Sequence, residues 1–339
     1  VLNNGMVVRD VSGIGGDHVN DVDLNDIQQI EVVRGPSSLL YSNGTVGGII
    51  NIVDNTIPRV DIEDLELKIG LESQSVNDGD SQNFSYANNI GGINLTLAYK
   101  DSQFGNFDVP HGAIIHSEEH EDEHEEDLSF LANSDYESKS SRIGVSKTVE
   151  WGYIGASYSN VEGLYGIPFH GEEHEEEGHE EEGHEDERIF SSTESDVFNL
   201  EGSIALSNNL IKKADFYFRD TDYSLTEQHA EEAHEDEHEG HSEGSTLFKN
   251  DAKEYGVTFD LGSKAISQKI VLKNADEKMS IIGEESFMNP TDSDELSIGY
   301  YVSAPTDLFH IDFGLRHDRI SRNGSVTHKE DDHDDHGDD

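Results

Sequence analysis

The chain has 339 residues, of which 73 are acidic and 22 basic, a formal net charge of −51; so negative a field repels nucleic acid and attracts cations. It has no cysteine, so disulfides, thiolate metal sites and cysteine nucleophiles are excluded, and any metal must be held by His, Asp and Glu. Only 33% of residues are hydrophobic and no run approaches the ~18 consecutive apolar residues of a transmembrane helix, which leaves open a membrane β-barrel, where lipid-facing and lumen-facing residues alternate.

Residues 1–58 are glycine-rich, with short apolar runs at 30–33, 39–41 and 46–53. They read as short strands joined by tight turns. Asp17-His18 follows Gly15-Gly16, outside any histidine-rich tract, and by itself reads as a histidine in a surface turn.

From Asp61 onward long alternating strands take over. Ile93, Leu95, Leu97 and Tyr99 share one face, with Asn94, Thr96 and Lys100 on the other. The same period of two runs through Tyr255, Val257, Phe259 and Leu261, and through Phe309, Ile311, Phe313 and Leu315. It sets an apolar face against a polar one. Eleven strands are expected, at 61–76, 81–90, 93–103, 135–149, 152–164, 189–207, 210–226, 247–262, 266–283, 294–303 and 308–322. Many strands in series without helices between them argue an antiparallel meander or barrel, an all-β fold. Ile93, Leu97, Phe309 and Phe313 are expected to face lipid. His310 shares the polar, lumen-lining face with Asp312 and Arg316 and reads as a hydrogen-bonded wall residue. No signal peptide is visible and the chain ends inside an acidic run at 329–339, so it reads as a piece of a longer protein.

The connections are tight after every second strand and mostly long after the others, as in outer-membrane barrels. Histidine follows this parity. His111, His116, His120 and His124 come after the third strand; His170, His174, His179 and His184 after the fifth; His229, His234, His238 and His241 after the seventh; His328, His333 and His336 after the eleventh. Fifteen of the 18 histidines therefore belong to one rim, interspersed with Glu and Asp at spacings such as 120/124, 179/184 and 234/238. Imidazole suits zinc, copper and nickel, and carboxylate adds charge and oxygen ligands. A tract of this kind predicts weak, exchangeable, multi-site capture of divalent metal; the plainer reading is a solvated acidic loop. No G-x-S-x-G, P-loop or dinucleotide fingerprint is present, so the chain is read as neither an enzyme nor the host of a catalytic cofactor.

The segment Ile30-Glu31-Val32-Val33-Arg34-Gly35-Pro36-Ser37-Ser38-Leu39-Leu40-Tyr41, followed by Gly44 and by Gly47-Gly48-Ile49-Ile50-Asn51-Ile52-Val53, resembles the end of the plug domain of TonB-dependent outer-membrane receptors. It departs from that pattern at Ser42-Asn43, where a glycine is usual. Tyr165-Gly166-Ile167-Pro168 and Gly283-Glu284-Glu285-Ser286-Phe287 with Pro290-Thr291 are similar to the zinc-uptake branch. The resemblance implies a 22-stranded barrel closed by an N-terminal plug. On that template residues 1–58 are the C-terminal part of the plug and 59–339 the N-terminal half of the barrel, with extracellular loops at about 104–134, 165–188, 227–246 and 323–339. It further implies a monomer in the cell outer membrane, zinc as cargo, and a TonB complex as partner whose contact segment is not in this chain. It would put Asp17 and His18 at the plug apex, met by Glu284 or Glu285. The alternatives are uptake of haem, a siderophore or another metal complex, and a surface metal-sequestering protein without transport.

Overall fold

The computed structural model describes the chain apart from residues 17, 21, 23, 25–26, 46, 114–128, 169–187, 207–209, 231–244, 263–265, 284–285, 307 and 326–339, and apart from the side chains of 188, 229 and 230. Four short strands open it: β1 (Leu2–Asn3), β2 (Met6–Val7), β3 (Ile27–Val33) and β4 (Ile49–Asp54). They form one small sheet in the order β2-β1-β4-β3, with β1 parallel to β4. The apolar run at 39–41, expected as a strand, belongs instead to a 3-10 helix, Pro36–Leu40, and its cap. Gly35, at φ 76°, turns the chain into it, and Pro36 supplies a preset φ where no amide donor is needed.

The rest is an antiparallel meander: β5 (Glu66–Gln74), β6 (Gly79–Ile90), β7 (Ile93–Phe104), β10 (Tyr136–Val149), β11 (Gly152–Gly166), β12 (Arg188–Ala205), β13 (Lys213–Ala230), β14 (Thr246–Asp260), β15 (Ser267–Ile282), β16 (Thr291–Pro305) and β17 (His310–Asn323). These make one sheet of eleven strands, neighbours in sequence being neighbours in space. A minor hairpin, β8 (Phe107–Asp108) with β9 (Phe130–Leu131), sits in the connection between β7 and β10. The expected count of eleven holds for this sheet; most strand ends shift by three residues or fewer, and two shift further. The first strand begins at Glu66 rather than 61, because the Ile62 amide is taken by the Asn94 side chain (2.9 Å) before the chain joins the sheet edge. β13 runs through Ala230, so His229 lies on a strand paired with Ile189 rather than in a loop. At the short-connection rim, Gly91 and Gly92 both take positive φ (64° and 84°), the two-residue hairpin that a right-twisted strand pair favours.

Burial along the strands is inverted relative to a water-soluble sheet. On β16, Ser297 is 1% exposed while its neighbour Ile298 is 48% exposed. On β7, Asn94 is 0% exposed and Ile93 50%. Ile143, Val145, Ile154, Tyr158, Tyr255 and Leu272 continue the exposed apolar face. Ile93, Leu97 and Phe313 lie on it, with Phe309 exposed just before β17. The polar face is covered by residues 1–60. At Gly144 they come so close that a Cβ would lie 1.8 Å from the Thr56 carbonyl oxygen, so a side chain there would displace the inner unit from the wall.

Candidate functional site

The contact between the N-terminal unit and the wall is polar and follows from the alternation. Inward side chains donate to backbone carbonyls of the inner unit and its linker: Thr96 to Thr56 (2.6 Å), Ser146 to Pro58 (2.6 Å), Asn94 to Val60 (3.2 Å), Arg219 to Val7 (3.3 Å), Asn250 to Asp10 (3.1 Å), Lys273 to Tyr41 (2.8 Å) and Arg316 to Leu39 (3.1 Å). Buried ion pairs add to them. Arg9 reaches Glu254 (3.1 Å) and Glu277 (3.3 Å), and Asp54 faces Arg142 (3.6 Å). Burial works against the Arg9 charge, but Glu277 and Glu254 outweigh it and raise its pKa. Burial likewise pushes the Asp54 carboxyl up, yet Arg142 and hydrogen bonds from Thr56 and Asn3 hold it below the usual carboxylate value. A cavity of about 90 Å³, lined in part by Arg9, Asp54, Arg142, Glu201 and Arg219, lies within this interface.

One apolar contact interrupts the polar seam. Val11 packs with Tyr223 and Leu225 of β13, Phe248 of β14 and Ile281 of β15. His18 sits at its margin, edge-on to Phe248 with ring centroids 4.7 Å apart. Its side chain is 3% exposed, which overturns the reading of a surface turn. Nδ1 lies 3.1 Å from the Val11 carbonyl oxygen, an acceptor, so Nδ1 carries the proton. Nε2 faces the Glu227 carboxylate of β13 at 3.8 Å. Glu227 was not singled out in the sequence. The signal was there, since Tyr223, Leu225 and Glu227 share one face of β13 and all three are buried. Asp17, Glu284 and Glu285 lie outside the described residues. The connection that carries the two glutamates is tied down at both ends: Ile281 belongs to the apolar cluster, Met288 packs against it, and Ser286 donates to the Ile281 carbonyl (2.8 Å). Among the described residues no three His, Asp or Glu converge closely enough to hold a metal.

The ladder fixes where the histidine-rich segments leave the wall. Phe104 at the end of β7 is in register with Tyr136, Tyr136 with Tyr165, and Gly166 with Phe190. Ile189 pairs with His229, Glu227 with Thr246, and Asp292 with Asn323. The strand ends before all four segments therefore stand on one rim. His111 is exposed in a turn there. For His229 only the backbone is described. His116, His120, His124, His170, His174, His179, His184, His234, His238, His241, His328, His333 and His336 lie outside the described residues.

Residues 1–49 match the family described as TonB-dependent Receptor Plug Domain. Over those residues the inner unit is therefore plug sequence. The fold of the whole chain is similar to that of the FrpB iron transporter from Neisseria meningitidis, at 10% identity and a TM-score of 0.62 over 89% of this chain and 48% of that one. It is similar also to the copper transporter OprC, at 11% identity and a TM-score of 0.67 over 95% and 48%. A third likeness is to the siderophore receptor PirA from Acinetobacter baumannii, at 12% identity and a TM-score of 0.60 over 90% and 45%. The chain thus spans about half the length of the solved receptors it matches. Plug sequence docked on a wall of this kind puts the chain in the outer membrane, with its exposed apolar face against lipid.

Proposed function

We propose that the chain is part of a receptor that takes up a divalent transition metal, zinc before others, through the outer membrane with energy delivered by a TonB complex. One observation carries the reading: all four histidine- and carboxylate-rich segments spring from a single rim of the wall, the long-connection rim, which in outer-membrane barrels is extracellular. Metal would be captured there by His111, His116, His120, His124 and their counterparts on the other three segments. It would pass to His18, whose Nε2 faces Glu227, with Asp17 and Glu284 or Glu285 completing the shell. A neutral imidazole with a carboxylate is a ligand set suited to zinc, copper or nickel. Repeated His/Glu tracts argue against haem, which needs one or two axial histidines in apolar surroundings. The plug argues against a surface chelator without transport, since sequestration alone needs none.

The test is uptake by cells carrying the full-length gene, comparing zinc, nickel, copper and cobalt, with and without a working TonB complex. TonB-dependent accumulation led by zinc is expected. Growth restored only by haem or ferric siderophores, with no gain in any of the four ions, would sink the reading.

A further inference from the structure

We propose that His310 and Asp312 form a second metal site, on the inner wall at the short-turn rim, where a divalent transition metal is held on its way out of the receptor. The inference rests on the transport reading above. The two residues are separated by one position on β17, and a period of two turns both to the lumen. Their facing atoms, His310 Nε2 and Asp312 Oδ1, are 3.2 Å apart. Two ligand atoms bound at the usual zinc distances to one tetrahedral ion lie about 3.3 Å from each other, so the pair already has the separation that a shared ion requires. Ser303, opposite Asp312 in the β16–β17 register, brings its hydroxyl within 2.7 Å of the same ring nitrogen, a hydrogen bond that the ion would replace, leaving the hydroxyl at the edge of the site. The Tyr301 hydroxyl donates to the Asp312 carboxylate (2.8 Å), the kind of outer hydrogen bond that orients a ligating carboxylate.

Position gives the site its role. Arg316, on the same face, bonds to the Leu39 carbonyl of the plug. His310 and Asp312 lie beyond it toward the short-turn rim, past the plug contact and at the opposite end of the wall from the histidine-rich segments. Their side chains are 55% and 38% exposed, so an ion reaches them from the lumen. Two protein ligands, the remainder water, bind loosely and exchange quickly, which suits release. Magnesium, which prefers oxygen ligands throughout, would be passed over.

The experiment is residue-resolved carbethoxylation of the full chain in outer-membrane vesicles, read by mass spectrometry with Zn²⁺, with Mg²⁺ and with neither. Zinc is expected to slow modification of His310 about tenfold near saturation; magnesium is not. Asp312→Asn should abolish the protection while His317, on the outer face of β17, is modified at the wild-type rate. Tyr301→Phe, which leaves both ligands in place, should weaken protection without removing it. Equal His310 rates with and without zinc in the wild type, or protection retained in Asp312→Asn, would overturn the site. The same spectra report His170, His174, His179 and His184. Zinc protection there without protection of His310 overturns the exit site and leaves loop capture standing; the converse overturns loop capture alone.

Discussion

At the scale of single residues, Asp54 ties strand β4 of the inner unit to the wall. Its carboxyl is held below the ordinary value by Arg142, Thr56 and Asn3 despite burial. A group that binds its proton less readily when docked stabilises docking at pH above the unperturbed carboxylate value, and that contribution is lost as pH falls through the lowered one. Asp54→Asn removes one charge of a buried pair, which costs on the order of 3 kcal/mol. Hydrogen exchange at 49–54 should accelerate in that variant at neutral pH, and the wild type should approach it only in strong acid. An unchanged rate at neutral pH would show that the pair does not hold the plug. His18 is a different kind of test. If its Nε2 and Glu227 share the tight metal, His18→Gln and Glu227→Gln should each weaken that binding by at least about a hundredfold, beyond what loss of an outer-shell partner costs. Loop binding should stay as it was. A zinc titration that shows one class of site in wild type and variants alike counts against the assignment.

At the scale of elements, the strands were legible because each interior strand has one face on lipid and one on a polar plug, so the period of two is clean. The alternation through Ile93, Asn94, Leu95 and Thr96 survives into burial residue by residue. What failed to show were places where local chemistry overrides period. Pro36 and Gly35 turn an apolar run into a 3-10 helix, and Asn94 captures the Ile62 amide and delays β5. Glu227 escaped notice because a carboxylate on an inward face looks like any other lumen residue until His18 is set against it. The histidine-rich segments were legible as chemistry, and their point of departure as geometry. Their metal binding should depend on pH through imidazole, whose unperturbed pKa is about 6.5. Binding needs the neutral ring, so zinc affinity of the 168–188 segment should fall between neutral pH and about pH 5.5. Affinity that survives both that change and replacement of His170, His174, His179 and His184 by Gln would mean the carboxylates hold the ion, and the tract would be a non-selective cation funnel.

At the scale of the whole molecule, the outer face is lipid-facing and the inner face polar, so the cost of a charge depends on which side it enters. Ile154→Arg, on the exposed apolar face, should destabilise the folded barrel by about 2–4 kcal/mol if it lies near the bilayer midplane. Ser157→Asn, on the buried polar face, should disturb plug docking instead. Folding in lipid vesicles, followed by heat-resistant compact mobility on gels, separates the two, and equal effects would mean the faces are misassigned. The seam between plug and wall has a further consequence, for inheritance. Seven wall donors read the inner unit and its linker through backbone carbonyls, which every amino acid supplies alike. Positions that dock only through these carbonyls are therefore free to change side chain without losing the contact, and there the two parts can diverge at different rates, with docking held in common by the shape of the main chain.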